Sequence, residues 1–196
     1  MQHTLLAQEL GSLSAHDAAG RLIGSKLSVN RNGQILSGTI IETEAYDESD
    51  PASHSFKGVT QRNHVMFGPP GRAYVYFTYG MHYCLNVVVG RDGSGAAVLI
   101  RALKPLTGIE AMRQLRATTK DNNLLNGPAK LTKGLDIDIT LNGHDLSQAP
   151  LRLELLAPLN PEEISWTKRI GIREENDREL YWRACLKNSL YLSRSL

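Results

Sequence analysis

The segment Gln34–Ala45, with the Tyr46 that follows it, constrains the fold most, because it alternates like a β-strand and yet carries carboxylates. Strict alternation predicts one face made of Ile40, Glu42, Glu44 and Tyr46, and an opposite face made of Ile41, Thr43 and Ala45. Carboxylates on a core strand lower stability unless their face opens on a cleft. The segment therefore predicts a sheet with a polar cleft along one strand.

Turn signals and apolar periodicity predict the elements around this strand. Residues 4–24 are expected to be helical in two pieces, broken near Gly11. Further strands are expected at Lys26–Val29, Ala73–Tyr79, Met81–Val89 and Ala96–Ala102, helices at Gly108–Arg116 and Gly127–Gly134, a β-rich excursion at Asp145–Ala157, and a closing strand or turn at Tyr181–Tyr191. This order favours an α+β fold: a single domain, residues 1–196, with a curved, mainly antiparallel β-sheet surrounded by helices.

The composition and the missing motifs exclude several classes of protein. No apolar run approaches the roughly 18 residues of a membrane span, and the first residues lack the pattern of a signal peptide, so a cytosolic or nuclear protein is expected. Cys84 and Cys185 have no CxxC spacing, which argues against a zinc site or a disulfide framework. The absence of GxSxG, HExxH and GxGxxG argues against the common serine hydrolase, zincin and Rossmann classes.

The charges are unevenly distributed along the chain, although the net charge is only +2. Residues 42–50 hold five acids and no base, whereas residues 57–104 hold six Lys or Arg and one acid. Such a distribution could place a catalytic carboxylate beside a phosphate-binding surface. On charge alone, however, a solvated surface with uneven charges is the favoured interpretation.

Tyrosines are concentrated near the same segment, since five of the seven lie between residues 46 and 83. Tyr46 and Tyr76 could sandwich a planar ring, with about 0.5–2 kcal/mol from each aromatic face beyond area burial. On this pattern alone a buried, tyrosine-rich strand is the favoured interpretation. A carboxylate, a histidine and several aromatic rings would suit an enzyme that stacks a flat ring and hydrolyses a bond beside it.

Glu44 is the best candidate for a general base that takes a proton from water. A structural carboxylate paired with a cation such as Arg101 is an equally good interpretation, and Glu42 points in the same direction along the strand. His54 could orient a base or donate to a substrate, although a lone loop histidine is more often a surface residue.

Taken in order, the quoted motifs resemble the alkylpurine, or 3-methyladenine, DNA glycosylases of the alkyladenine type. The resemblance rests on ETEAY at 42–46, YVY, YGM and C-x-N between 74 and 86, LIRAL at 99–103, NGPAKL at 126–131 and RIGI at 169–172. It spans about residues 20–183. The first two segments are the most specific, and the C-terminal third is the loosest match.

The resemblance implies a monofunctional enzyme that flips damaged purines out of DNA and hydrolyses the N-glycosidic bond, leaving an abasic site. It assigns Glu44 as the base that activates water, and Tyr46, Tyr76 and His54 as the walls of the base pocket. It further implies that Tyr79 intercalates into the duplex, that Asn86 collides with the 2-amino group of guanine, and that Arg101 holds a phosphate.

The resemblance also implies partners and requirements. Double-stranded DNA containing damaged purines is the expected partner, and neither a cofactor, a metal nor a membrane is expected. A monomer is expected, located in the cytoplasm and associated with the nucleoid in a bacterium, or nuclear in a eukaryote. Two other classes stay open: a catalytically silent nucleic-acid-binding module of the same fold, and, by fold analogy alone, a small-molecule domain.

Overall fold

The computed structural model describes residues 2–173 and 179–196 of the protein. Its helices and strands are α1 (Gln2–Gly11), α2 (Ala15–Leu22), β1 (Lys26–Arg31), β2 (Gln34–Tyr46), β3 (Ala73–Thr78), β4 (His82–Val89), β5 (Ala96–Thr107), α3 (Ile109–Arg116), α4 (Pro128–Leu135), β6 (Leu151–Glu154), β7 (Ile164–Thr167) and β8 (Arg183–Leu186). Single 3-10 turns interrupt the longer connections, for example at His64–Phe67.

One antiparallel sheet joins the eight strands found in the described residues. Its main path runs β3-β4-β5-β2-β1-β6, and β7 is attached through β8. The long β2 is the centre of the sheet, because it pairs with β1 along its first half, with β8 along residues 42–44, and with β5 along residues 37–46. A curled antiparallel sheet with helices is an α+β fold, so the predicted fold class is confirmed.

Helix α2 fixes which face of β2 is turned to the core. Its buried residues are Ala15, Ala18, Ala19 and Leu22, which form one apolar stripe at helical spacing. The Ser14 side chain accepts a hydrogen bond from the Asp17 N–H and thereby caps the helix. Thr43 donates its hydroxyl hydrogen to the carbonyl of Ala19 at 2.8 Å. The Thr43 side of β2 therefore faces α2, and the carboxylates project from the other side.

The prediction of strict alternation is wrong at Ile40. The register against β5 passes from Ile40 opposite Leu103 to Glu42 opposite Ala102, which is a bulge at Ile41. A bulge adds one residue and reverses the phase of alternation. Ile40 consequently packs in the main apolar core, whereas Glu42 begins the polar face.

The predicted elements exist, but several bounds and one strand differ from the prediction. The structure confirms the break in the N-terminal helices near Gly11, and it joins β1 to β2 as a hairpin. Strand β5 continues five residues beyond its predicted end, to Thr107, while the β-rich excursion contains only the four residues of β6. The closing strand is limited to β8. Strand β7, which has only four residues, was not among the predicted strands.

The hairpin between β3 and β4 presents three large apolar side chains to solvent: Phe77 (48% exposed), Tyr79 (88%) and Met81 (72%). Tyr79 has a φ of +50° and Gly80 a φ of +68°. A positive φ is uncommon for a bulky residue such as tyrosine. The hairpin tip therefore holds an exposed aromatic ring on a residue with a left-handed backbone conformation.

The described residues contain neither a membrane-spanning helix nor a cluster of metal-binding side chains. None of the helices there is long and apolar enough to cross a membrane. In the same part of the chain, no group of three or more His, Cys, Asp or Glu side chains is arranged to hold a metal ion.

Candidate active site

Two carboxylates of β2 and one guanidinium of β5 form a buried charge cluster. Glu42 and Glu44 are fully buried, and Arg101 is 8% exposed. Arg101 Nε donates to Glu42 Oε1, and Arg101 Nη1 donates to Glu44 Oε2, both at 3.1 Å. Although burial opposes its charge, the carboxylates of Glu44 and Glu42 raise the pKa of Arg101 above its ordinary value. The structure thus contains the ion pair that the sequence offered as an alternative to a catalytic Glu44.

The remaining hydrogen bonds of Glu44 connect it to a cavity. Its Oε2 also accepts the hydroxyl hydrogen of Tyr46 at 2.8 Å, and its Oε1 accepts the backbone N–H of Ile170 at 2.7 Å. Tyr46, Arg101 and Ile170 all line that cavity, and Glu44 lies directly behind them. Burial, followed by the charge of Glu44, raises the pKa of Tyr46 well above its usual range. Tyr46 therefore stays a neutral donor to the carboxylate.

The cavity has a volume of about 230 Å³. Its lining combines aromatic, apolar and amide groups from strands β2 to β5, the loop after β2 and residues 170–172. The lining residues are Tyr46, Ala52, His54, Met66, Tyr74, Tyr76, Thr78, Tyr79, Cys84, Asn86, Leu99, Arg101, Pro128, Ile170, Gly171 and Ile172. The structure therefore brings six of the seven predicted site residues to the lining of one cavity. The seventh, Glu44, is hydrogen-bonded to three residues of that lining.

The aromatic wall is held together by contacts between rings. His54 and Tyr76 meet edge to face with centroids 4.6 Å apart, and Tyr74 and Tyr76 lie 5.4 Å apart. The Arg62 guanidinium carbon lies 5.2 Å from the centroid of the Tyr76 ring. Burial, and then the Cys84 thiol, raise the pKa of Tyr76. Tyr76 therefore presents a neutral ring to the cavity, with the Arg62 guanidinium over that ring.

His54 is tied to this wall although the residue as a whole is exposed. Its Nδ1 lies 2.9 Å from the Tyr74 hydroxyl oxygen, and either group can be the donor. Burial of the ring, and then the charge of Arg62, lower the pKa of His54 to about 4. His54 is therefore a neutral imidazole near neutral pH and is suited to hydrogen bonding rather than to carrying a positive charge.

The lowered pKa of His54 gives a prediction about acid stability. The unfolded chain binds a proton near the ordinary value of 6.5, whereas the folded protein does so only near 4. The contribution of this group is therefore complete above pH 6.5 and is lost as the pH falls towards 4. In urea unfolding over this range, His54→Gln should lose less stability on acidification than the unsubstituted protein. Equal losses of stability in the two proteins would contradict the lowered pKa of His54.

Asn86 and Tyr79 both line the cavity but differ greatly in exposure. Asn86 is 5% exposed, and its Nδ2 donates to the Tyr74 carbonyl at 3.1 Å, which fixes the orientation of the amide. Tyr79 lines the cavity and is also the most exposed large apolar residue of the hairpin tip. The cavity therefore has a buried amide and an exposed aromatic ring in the same lining.

An ion pair between Asp50 and Arg169 supports the site and was not predicted. Arg169 Nη1 and Nη2 both donate to the buried Asp50 carboxylate, and Nη1 also donates to the Ala45 carbonyl at 3.0 Å. The guanidinium carbon lies 4.6 Å from the centroid of the Tyr46 ring and 5.5 Å from that of Trp182. Arg169 therefore fixes one face of Tyr46 and also places the next residue, Ile170, against Glu44.

Sequence reasoning found the motif RIGI at 169–172 but gave its members no role. The only signal was the motif itself, since Asp50 and Arg169 are separated by 119 residues. Cys84, Ile170 and Gly171 were also missed as cavity-lining residues.

The fold and the site together define a class of protein with a hydrolase-like pocket for a planar ring. A buried carboxylate lies behind this pocket, and an exposed aromatic side chain borders it. The comparison with known families agrees with this class and identifies the family. Residues 10–190 match the methylpurine-DNA glycosylase family, and the chain belongs to that family. It is a DNA glycosylase, a hydrolase of N-glycosyl bonds, as the resemblance implied.

Similar proteins extend over most of this chain. One from Carboxydothermus hydrogenoformans is 54% identical over 83% of this chain and 85% of its own length. One from Methanoculleus marisnigri is 47% identical over 86% and 88%. One from Nitrosospira multiformis is 45% identical over 93% and 91%. All three carry the provisional name 3-methyladenine DNA glycosylase.

Proposed function

We propose that this glycosylase removes alkylated or deaminated purines, of the 3-methyladenine, 7-methylguanine, hypoxanthine and ethenoadenine class, from double-stranded DNA, as a monomer without a cofactor. One observation carries the proposal: the Glu44 carboxylate is held at the back of a pocket with aromatic walls by Tyr46, Arg101 and Ile170. The names of the relatives support the same class of substrate.

The proposed reaction begins with a water molecule near Glu44. The carboxylate takes a proton from this water, and the water oxygen forms a bond to C1′ of the nucleotide. The bond between C1′ and the base nitrogen breaks, and its electron pair leaves with the base, through an oxocarbenium-like transition state. A cationic alkylated base leaves as a neutral molecule, whereas a neutral base such as hypoxanthine takes up a proton from solvent as it leaves. No lysine forms a covalent intermediate in this scheme, so an abasic site is left and the strand stays intact.

The walls of the pocket suit a cationic purine. Alkylation at N3 or N7 gives the base a positive charge, which weakens the glycosidic bond and strengthens attraction to aromatic faces. We assign Tyr46 and Tyr76 as the stacking surfaces and His54 as a hydrogen-bonding group at the edge of the base. The fixed amide of Asn86 would collide with the 2-amino group of guanine and thereby exclude the normal base.

The geometry supports a positioning role for Arg101 more strongly than the predicted contact with a phosphate. Its guanidinium is buried and donates to both Glu42 and Glu44. In the proposed mechanism it orients the carboxylate of Glu44. The phosphate contact of Arg101 stays a prediction.

We assign Tyr79 as the residue that fills the gap left by the flipped nucleotide. Intercalating side chains offset part of the cost of unstacking, which arises only when the lesion is in a duplex. Tyr79→Ala should therefore lower excision from duplex DNA by about tenfold or more while changing excision from a single strand much less. Single-turnover rates on matched duplex and single-stranded oligonucleotides would measure both effects.

Tyr181→Ala is the matched control for Tyr79, because Tyr181 is also exposed (59%) but lies outside the cavity lining. It should leave both rates unchanged. Equal losses on duplex and single-stranded substrates in Tyr79→Ala would remove the intercalating role.

The lesion class is tested by release of free bases. The purified protein is incubated with alkylated genomic DNA and with duplexes carrying hypoxanthine or ethenoadenine, and the released bases are identified by chromatography. Release of methylated purines is the expected result. Salt-sensitive binding to lesion DNA without release of any base would overturn the proposal and indicate a binding module instead.

A further inference from the structure

Both oxygens of the Glu42 carboxylate accept hydrogen bonds from residues that lie far away in the sequence. Its Oε1 accepts hydrogen bonds from Arg101 Nε at 3.1 Å, Arg183 Nε at 2.8 Å and the Ser193 hydroxyl at 2.6 Å. Its Oε2 accepts the backbone N–H of Ser193 at 2.6 Å. Glu42 thus serves as the anchor of a buried network rather than as a group available to a substrate.

Ser193 contributes to this network more than one bond to Glu42. Its Oγ also accepts a hydrogen bond from Arg101 Nη2 at 3.4 Å, so one hydroxyl touches both members of the Glu42–Arg101 pair. The neighbouring Arg194 carbonyl accepts a hydrogen bond from Arg183 Nη2 at 2.7 Å. The segment 191–196 is therefore fastened to the polar side of β2, behind the cavity.

The consequence for Glu44 follows through Arg101. Arg101 Nε is held by Glu42, Nη2 by Ser193 and Nη1 by Glu44, so each edge of the planar guanidinium is fixed. A guanidinium with fixed edges holds a carboxylate in one orientation, because its donors form a rigid fork. Loss of the Ser193 hydroxyl would remove one of these three restraints. It would also leave the buried Glu42 Oε1 with one hydrogen-bond donor fewer.

We infer that Ser193 is a positioning residue for base excision, which acts through Glu42 and Arg101 on the carboxylate of Glu44. This inference rests on the proposed function of Glu44. Segment 191–196 contributes no residue to the cavity lining, so the effect of Ser193 on a bound base is indirect. A positioning role predicts a change in the rate of the chemical step with little change in the affinity for lesion DNA.

The test compares Ser193→Ala, Ser193→Thr and Ser195→Ala with the unsubstituted protein. Ser193→Ala removes the hydroxyl and keeps the backbone N–H, Ser193→Thr keeps a hydroxyl, and Ser195 is an exposed serine in the same segment. Excision from a lesion duplex is measured with enzyme in excess, so that the rate constant reports on folded, bound enzyme. Binding of the same duplex is measured by fluorescence anisotropy.

Ser193→Ala should lower the single-turnover rate constant by about tenfold, equivalent to about 1.4 kcal/mol of activation free energy. Its Kd for the lesion duplex should stay within about twofold, a change below about 0.5 kcal/mol. Ser193→Thr should recover most of the rate, and Ser195→Ala should match the unsubstituted protein.

Three outcomes would overturn the inference. A rate constant for Ser193→Ala equal to that of an active unsubstituted protein would remove the role of Ser193 and leave the proposed function intact. A loss for Ser193→Thr as large as for Ser193→Ala would indicate a packing effect instead of a hydrogen bond. Absence of excision by the unsubstituted protein would overturn the proposed function, and the positioning role with it.

Discussion

Substitution of Glu44 by Gln is expected to lower the rate of base excision by about three orders of magnitude, within the range that general acid–base catalysis contributes. The amide has almost the same shape as the carboxylate and can still accept the Ile170 N–H. It cannot take a proton from water. Binding of lesion DNA should therefore persist, since the aromatic walls of the cavity are unchanged.

The measurement is a single-turnover excision assay together with a binding titration on the same lesion duplex. Glu48→Gln is the matched control, because Glu48 is exposed on the loop after β2 and lies outside the cavity lining. Excision by Glu48→Gln should equal that of the unsubstituted protein. Full activity in Glu44→Gln would show that another group activates the water and would overturn the assignment of Glu44 as the base.

Asp50→Asn is expected to lower the free energy of unfolding by about 3 kcal/mol or more. The substitution leaves the Arg169 guanidinium buried without the carboxylate that holds two of its nitrogens. An uncompensated buried charge is costly, because the low-polarity surroundings cannot replace the lost partner. Excision should also fall, since Arg169 packs against Tyr46 and precedes the Ile170 N–H that binds Glu44.

Urea unfolding followed by tryptophan fluorescence measures this loss, and Trp182 is a local probe because its ring lies beside Arg169. Asp92→Asn is the matched control, since Asp92 is an exposed residue in the turn before β5. It should change stability by less than about 0.5 kcal/mol. A change of the same small size in Asp50→Asn would show that the Asp50–Arg169 ion pair contributes little to stability.

The polar face of β2 could be predicted from the sequence because its cause is local. Alternation with a period of two residues puts Glu42, Glu44 and Tyr46 on one face, and the structure confirms this part of the pattern. The bulge at Ile41 could not be predicted, because it depends on the register against β5. A bulge changes which face a residue occupies without leaving a signal in the strand itself.

Two groups that hold the carboxylates of β2 in place, the Ile170 N–H and Ser193, could not be predicted, because they come from distant parts of the chain. Ile170 and Glu44 are 126 residues apart, and Ser193 and Glu42 are 151 residues apart. Local periodicity carries no information about such pairs. The motif RIGI marked residues 169–172 as unusual, whereas no motif marked Ser193.

We propose that Glu44 drives a hydrolysis that leaves an intact strand with an abasic site. The most direct test uses an end-labelled duplex with one hypoxanthine or ethenoadenine, incubated with the protein and then divided into samples with and without alkali. The account predicts strand cleavage only after alkali, and no cleavage in samples from Glu44→Gln. Cleavage without alkali, or unchanged cleavage in Glu44→Gln, would contradict it.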